Sequence, residues 1–145
     1  MKISLITPTY NEIENIEKLY LELKKEFNKI NCEYEHIIID NNSNDGTIEK
    51  IKELASKDKN LKLIINSKNY GHIRSPFYGL LQSSGDASIL MAADFQDPIE
   101  LIPKYIDEWK KGNKIVLGEK VSSEENKIKF SFRKLFYNFL NKISD

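Results

Sequence analysis

Cysteine is all but missing. Cys32 stands alone, which leaves no internal disulfide and no Cys/His cluster with a zinc spacing. A reducing cytoplasm is the compartment this implies, with Cys32 a neutral loop residue. Net charge is missing too: 22 basic and 22 acidic side chains cancel, so no global field points to nucleic acid and no like-charge block points to a disordered tail. Long apolar runs are also absent. Residues 3–6 are too few for a signal-peptide core and have Pro8 behind them, which argues against secretion. No run approaches the roughly 18 apolar residues of a membrane-spanning helix. Asn41-Asn42-Ser43 fits a glycosylation sequon that a cytoplasmic chain would not use. Internal repeats and low-complexity linkers are lacking as well.

What is present is enough for one domain. A chain of 145 residues buries on the order of 70% of the surface its unfolded form exposes. Short apolar runs rich in β-branched residues recur at 3–6, 36–39, 61–65, 87–91 and 114–117. Each is too brief for a helix and too continuous for a sheet wetted on one face, so they read as buried parallel strands. Helix-period segments lie between them. Ile13, Ile16, Leu19, Tyr20, Leu23 and Phe27 mark the first, and Ile48, Ile51 and Leu54 the second, behind the capping candidates Ser43 to Asp45. Phe77, Leu80 and Leu81 mark the third. The fourth opens at Pro98 and carries Ile99, Ile102, Tyr105, Ile106 and Trp109 toward Gly112. This alternation predicts an α/β fold: a twisted, mainly parallel sheet with helices on both faces. Ligands of such sheets bind beyond the carboxyl ends of the strands.

Three of those strand ends carry polar chemistry. The first ends in Thr7-Pro8-Thr9-Tyr10-Asn11-Glu12, where a flat ring and a carboxylate would stack and hydrogen-bond a base, or simply cap a helix start. The second delivers Asp40 to a strand's carboxyl end, a place where acids receive ribose hydroxyls or base donors. Asp45 and Ser43, further along that turn, read as caps. The fourth runs into Ala92-Ala93-Asp94-Phe95-Gln96-Asp97-Pro98. There Asp94 and Gln96 have the i, i+2 spacing that puts both side chains on one side of an extended segment. Two such oxygen donors suit Mg²⁺ or Mn²⁺, which would neutralise charge on a departing nucleoside diphosphate. Asp97 reads as a solvated helix-start acid.

Composition shifts near residue 120. Val121-Ser122-Ser123-Glu124-Glu125-Asn126 reads as a connection, dividing a domain over 1–120 from a stretch over 121–145. In that stretch Ile128, Phe132, Leu135, Phe136, Phe139, Leu140 and Ile143 form a helical stripe beside Lys127, Lys129, Arg133, Lys134 and Lys142. A basic amphipathic helix of this kind either lies in a membrane interface or packs on its own protein.

Taken in chain order, these segments resemble the family 2 glycosyltransferases of the GT-A, Rossmann-like type, over essentially the whole chain. Asn69-Tyr70-Gly71-His72, Gly79-Leu80, Ser84-Gly85-Asp86 and the stretch from Ala93 to Pro98 are the most specific. They look like the branch that moves sugars onto polyprenyl phosphates, which includes dolichol-phosphate mannose synthases and bactoprenol glucosyltransferases. The resemblance implies that Pro8, Tyr10 and Glu12 line a nucleotide-sugar pocket, that Asp40 and Asn41 read base or ribose, and that Arg74 or His72 faces the diphosphate. Asp94 would touch the donor through the metal it shares with Gln96. Ala92 stands where many members of the branch have the first acid of the metal motif, and Asn41 where a second acid is frequent. The implied reaction is an inverting, metal-assisted transfer from a UDP- or GDP-linked sugar to a polyprenyl phosphate or glycan acceptor, at the inner face of a membrane. Relatives place their general base in a later segment, and no convincing base precedes Asp145, so a truncated form with weak or missing turnover is the expectation.

Two rival classes stand beside this. A nucleotidyltransferase also uses an α/β sheet and a carboxylate-bound metal, but residues 7–12 hold neither the glycine nor the base of a phosphate loop. A non-catalytic module would hold a nucleotide sugar, or dock on a membrane, without turnover. Base, sugar, acceptor and oligomeric state are left open.

Overall fold

The computed structural model describes residues 1–30 and 32–119. The 121–126 connection and the amphipathic stretch after it lie outside the described residues. Four parallel strands, β1 (Lys2–Thr9), β2 (Glu33–Asp40), β3 (Leu61–Ile65) and β4 (Ala87–Leu90), form one sheet in the order β3-β2-β1-β4. Helices α1 (Ile16–Ile30), α2 (Thr47–Ala55), α3 (Gly71–Leu81) and α4 (Ile102–Lys110) fill the connections, α4 being led by a 3₁₀ turn at Ile99–Leu101. The chain is thus the expected parallel α/β fold.

Register shows which residues share a face, because directly paired residues of parallel strands project to the same side. Leu5 pairs with His36 and Ile89, and Thr7 with Ile38. On that face α1 brings Leu19, Leu23 and Phe27 onto Ile3 and Leu5, joined by Ile102 and Ile106 of α4. Ile51 and Leu54 of α2 close over Ile38 beside Ile16 and Tyr20. The spacing of these apolar positions, three and four apart, is what makes each helix amphipathic. Fully burying one such side chain contributes about 1.5–3 kcal/mol, so this face carries most of the fold's stability.

The other face holds Ile6, Ile37 and Ile39, and α3 is the helix that covers it among the described residues. A Cβ on Gly79 would come within 2.8 Å of Ile6 Cγ2, so glycine is what lets this helix sit so close. At the amino rim, the Glu35 carboxylate receives Ser4 Oγ, Ser84 N and the Lys62 ammonium. Burial would raise its pKa, but hydrogen bonds from Lys62, Ser4 and Ser84 outweigh that and hold it far below the usual carboxylate range. It fixes the turn between α3 and β4.

One expected strand did not form. Residues 114–117 are not a strand among the described residues, and Ile115 and Leu117 are 79% and 85% exposed. The run has strand composition, but it pairs with no described strand; β-propensity needs a neighbouring pleat to act on.

Candidate active site at the carboxyl rim

Because β2, β1 and β4 are parallel neighbours, the loops that follow them leave the same rim side by side. Strand spacing of about 4.8 Å sets them close. Thr9 pairs with Asp40 at the ends of β1 and β2. Met91 N still donates to Ile6 O where β4 gives way to the loop carrying Asp94. Tyr10, Asp40 and Asp94 therefore emerge along one rim.

Each of those three loops carries a non-glycine residue in the left-handed region: Asn11 at φ 57°, Asn42 at φ 65° and Phe95 at φ 60°. Asparagine tolerates that conformation; phenylalanine does so only when its surroundings impose it. Phe95 packs against the core beside α1, with the Lys18 ammonium 4.8 Å from its ring centre.

The first two loops are bound into one unit. Asn11 N donates to Ser43 Oγ at 2.8 Å, and Asn44 N returns a bond to Asn11 Oδ1 at 3.0 Å. Glu12 N donates to Thr47 Oγ1, and the Glu12 carboxylate accepts from Asn15 Nδ2. The cap position of α2 is Gly46, which has no side chain to bond, so Asp45 is not the cap its position suggested; one residue earlier, it accepts from Thr47 N and also from Ile13 N. Its carboxyl is held below the usual range: burial acts to raise it, and the bonds from Thr47 and Ile13 more than offset this. Ser43 does not cap. It bonds Asp40 and Asn11 instead.

Asp40 and Asn41 form the floor of this unit. Asp40 is fully buried, with Thr9 Oγ1, Ser43 Oγ and Ser43 N donating to it at 2.7 to 2.8 Å. Those bonds occupy three of its roughly four acceptor positions. Asn41 Oδ1 turns to the next loop, accepting from Asn66 Nδ2 and Tyr70 N. Pro8 is half-buried and Tyr10 exposed above that floor.

Asp94 and Gln96 are both exposed. They do not lie on an extended segment as their spacing suggested: Phe95 turns the chain, and Gln96 N donates to Asp94 Oδ1 at 3.1 Å. Asp94 Oδ2 has no hydrogen-bond partner among the described residues. Carboxylate and amide oxygens are hard donors that fit Mg²⁺ or Mn²⁺. Among the described residues no three His, Cys, Asp or Glu side chains gather as a cage, so this loop offers a two-donor platform at most. Asp97 closes the loop by accepting Ala92 N at 2.9 Å, a role beyond that of a solvated helix-start acid.

Arg74 stands apart. It lines a concavity of about 400 Å³ at the β3 end of the rim, with Asn66, Ser67, Tyr70, Ser75 and Tyr78, while Asp94 belongs to the β4 end. His72 is exposed in the first turn of α3. Sequence reasoning missed Thr9, Asn66 and Ser75. Their signal was the run of small polar residues at strand ends, where buried backbone and carboxylates need partners.

An open parallel sheet with polar, strained loops gathered at its carboxyl rim defines the ligand-binding α/β class. Within that class the chain belongs to glycosyl transferase family 2, whose model matches residues 4–144. It is 40% identical over 120 residues to a dolichol-phosphate mannosyltransferase of Pyrococcus furiosus, covering 83% of this chain and 33% of the relative. It is 37% identical over 146 residues to the bactoprenol glucosyl transferase of Shigella phage SfV, covering 99% and 47%. Among solved structures, TarS 1-349 of S. aureus in complex with UDP-GlcNAc matches at TM-score 0.58 and 28% identity, over 74% of this chain and 32% of that one. A mannosyltransferase of Pyrobaculum calidifontis in complex with GDP-Man and Mn²⁺ shares the fold at TM-score 0.59 and 23% identity, over 72% and 31%. The chain thus spans about half or less of the length of the relatives it matches. Among the described residues no helix is long and apolar enough to cross a membrane.

Proposed function

We propose that this chain forms the donor side of a transfer from a nucleoside-diphosphate sugar to a polyprenyl phosphate. The observation that carries the reading is the convergence of three strained loops, after β1, β2 and β4, on one rim. The named activities of the dolichol-phosphate and bactoprenol relatives support the acceptor class, and the UDP-GlcNAc and GDP-Man complexes support the donor class.

In this reading Pro8 and Tyr10 present an apolar wall and a ring to the base, with Glu12 at the edge of the pocket. Asp40 and Asn41 act from below, holding the loops that meet the nucleoside in register. Arg74 supplies a cation at the β3 end. Asp94 and Gln96 would hold Mg²⁺ or Mn²⁺, which when bound neutralises charge on the departing diphosphate. Fixed loops keep the donor in one orientation, and orientation is where most of such a barrier is removed. Residues 1–120 serve as the donor domain.

Calorimetric titration with UDP, GDP, UDP-sugars and GDP-sugars, with and without Mn²⁺, tests this. Binding of one nucleotide class, strengthened by the metal, is expected. If none binds with or without the metal, the reading fails. Transfer or donor hydrolysis, measured on the same protein, separates an enzyme from a binding module.

A further inference from the structure

Helix α3 is apolar on the wrong side. Its inner face is made of small residues, Ser75, Pro76 and Gly79, all buried. Its outer face, about 150° around the helix, carries Ile73, Phe77 and Leu81 at successive i, i+4 positions, exposed by 72%, 61% and 64%. Tyr70 and Tyr78 flank them, also exposed, and Leu90 extends the patch on the same face of the sheet. The close seat of Gly79 on Ile6 and Ile39, where even a Cβ would need Ile6 to shift, opposes a roll that would bring Phe77 or Leu81 inward. A surface helix normally turns charge to solvent, so a fixed apolar outer face marks a surface meant to be covered.

The charges around it select the covering. No Asp or Glu occurs between Asp58 and Asp86, in a chain that has 22 acids. Lys68 and Arg74 lie in that interval without a carboxylate partner among the described residues, Lys68 sitting 5.3 Å from the centre of the Tyr70 ring. A second copy docked face to face would set these cations against their equals. An anionic lipid surface matches all three features: apolar side chains to enter the acyl boundary, tyrosines for the headgroup layer and cations for lipid phosphates. We propose that the outer face of α3 docks this protein on an anionic bilayer. The inference shares Arg74 with the donor reading but is carried by Ile73, Phe77 and Leu81, which that reading does not use.

The test pellets the full-length chain with vesicles of phosphatidylcholine alone or mixed with phosphatidylglycerol. Binding to the mixed vesicles that weakens with added salt is expected. The double variant Phe77→Ser/Leu81→Ser should lower partitioning at least about tenfold while Mn²⁺-dependent nucleotide binding persists. A separate Phe77→Trp variant should gain a fluorescence component that brominated lipids quench, and it decides the matter if the double variant misfolds. Absence of wild-type binding overturns the proposal. So does wild-type partitioning of the double variant, which would hand the membrane contact to the basic stretch over 127–143. A dimer in light scattering that the double variant abolishes would overturn it in favour of self-association.

Discussion

Thr9 Oγ1 donates to Asp40 Oδ2 across 2.8 Å, joining the last residues of β1 and β2 beneath the surface of the rim. Asp40 takes two further bonds from Ser43, so one carboxylate holds the ends of two strands and the start of a loop. Asp40→Asn keeps the shape but replaces an acceptor by a donor facing hydroxyls. It should cost about 1.5–3 kcal/mol, the range for a hydrogen-bonded buried charge, and weaken nucleotide binding in parallel. Thr9→Val, which leaves Asp40 its Ser43 bonds, should cost about 1 kcal/mol. Urea midpoints measure both, and an unchanged midpoint in Asp40→Asn would show that the carboxylate does not hold the rim together.

Asp94 lies at the other extreme, exposed and with one oxygen unengaged among the described residues. Its replacement should leave stability within about 0.5 kcal/mol, as for surface positions generally. Asp94→Ala should nevertheless remove the Mn²⁺-dependent part of nucleotide affinity, a loss of at least about tenfold, or 1.4 kcal/mol. Gln96→Ala should lose less, since a neutral amide oxygen attracts a cation more weakly than a carboxylate. Calorimetry with and without metal reads both; Mn²⁺ dependence retained in Asp94→Ala would place the cation elsewhere.

Two glycines with similar close contacts should respond differently to alanine. At Gly85 a Cβ would stand 2.7 Å from Ser4 N and 2.8 Å from Lys2 O, both backbone atoms of β1. At Gly79 the 2.8 Å neighbour is a side-chain methyl of Ile6, which can shift. Overpacking of this kind costs about 1–3 kcal/mol, and Gly85→Ala should fall at or above the upper end with Gly79→Ala below it. Denaturant titration gives the order, and the reverse order would contradict the contact geometry.

Four of the five apolar runs became strands because each has a parallel neighbour on which its branched side chains stack; Ile37, Ile38 and Ile39 are almost fully buried. The run over 114–117 has the same composition and no described strand to pair with, so residue type alone misled. Helix periods were legible in α1 and α4, whose apolar positions face the core. In α3 the large apolar residues Phe77 and Leu81 marked the helix but pointed outward, while Ser75 and Gly79 made the contact. Strand ends located Tyr10, Asp40 and Asp94 on one rim because parallel strand direction follows from the alternation of elements; the order β3-β2-β1-β4 was not legible. The turn at Phe95 was not legible, since nothing in a phenylalanine announces φ 60°; tertiary packing imposes it.

His36 offers a test of the core that is independent of any ligand. It is buried on the face covered by α1 and α2, and its ring nitrogen Nε2 lies 2.9 Å from Thr7 Oγ1. Burial pushes its pKa down to about 3. In the unfolded chain the value is about 6.5, so between these limits the unfolded state binds a proton that the folded state refuses. Stability should therefore be complete above pH 6.5 and fall as acid is added, by roughly 3 kcal/mol at pH 4. Glu35 adds its own loss only below about pH 4.5, where the unfolded carboxylate begins to protonate and the native one stays charged. His36→Gln removes the first titration and keeps a polar partner for Thr7. Its urea midpoint should lie lower at neutral pH yet stay nearly flat from pH 6.5 to 4.5, while that of the wild type declines. Parallel slopes in the two proteins would mean that the imidazole is not what makes the native core acid-sensitive.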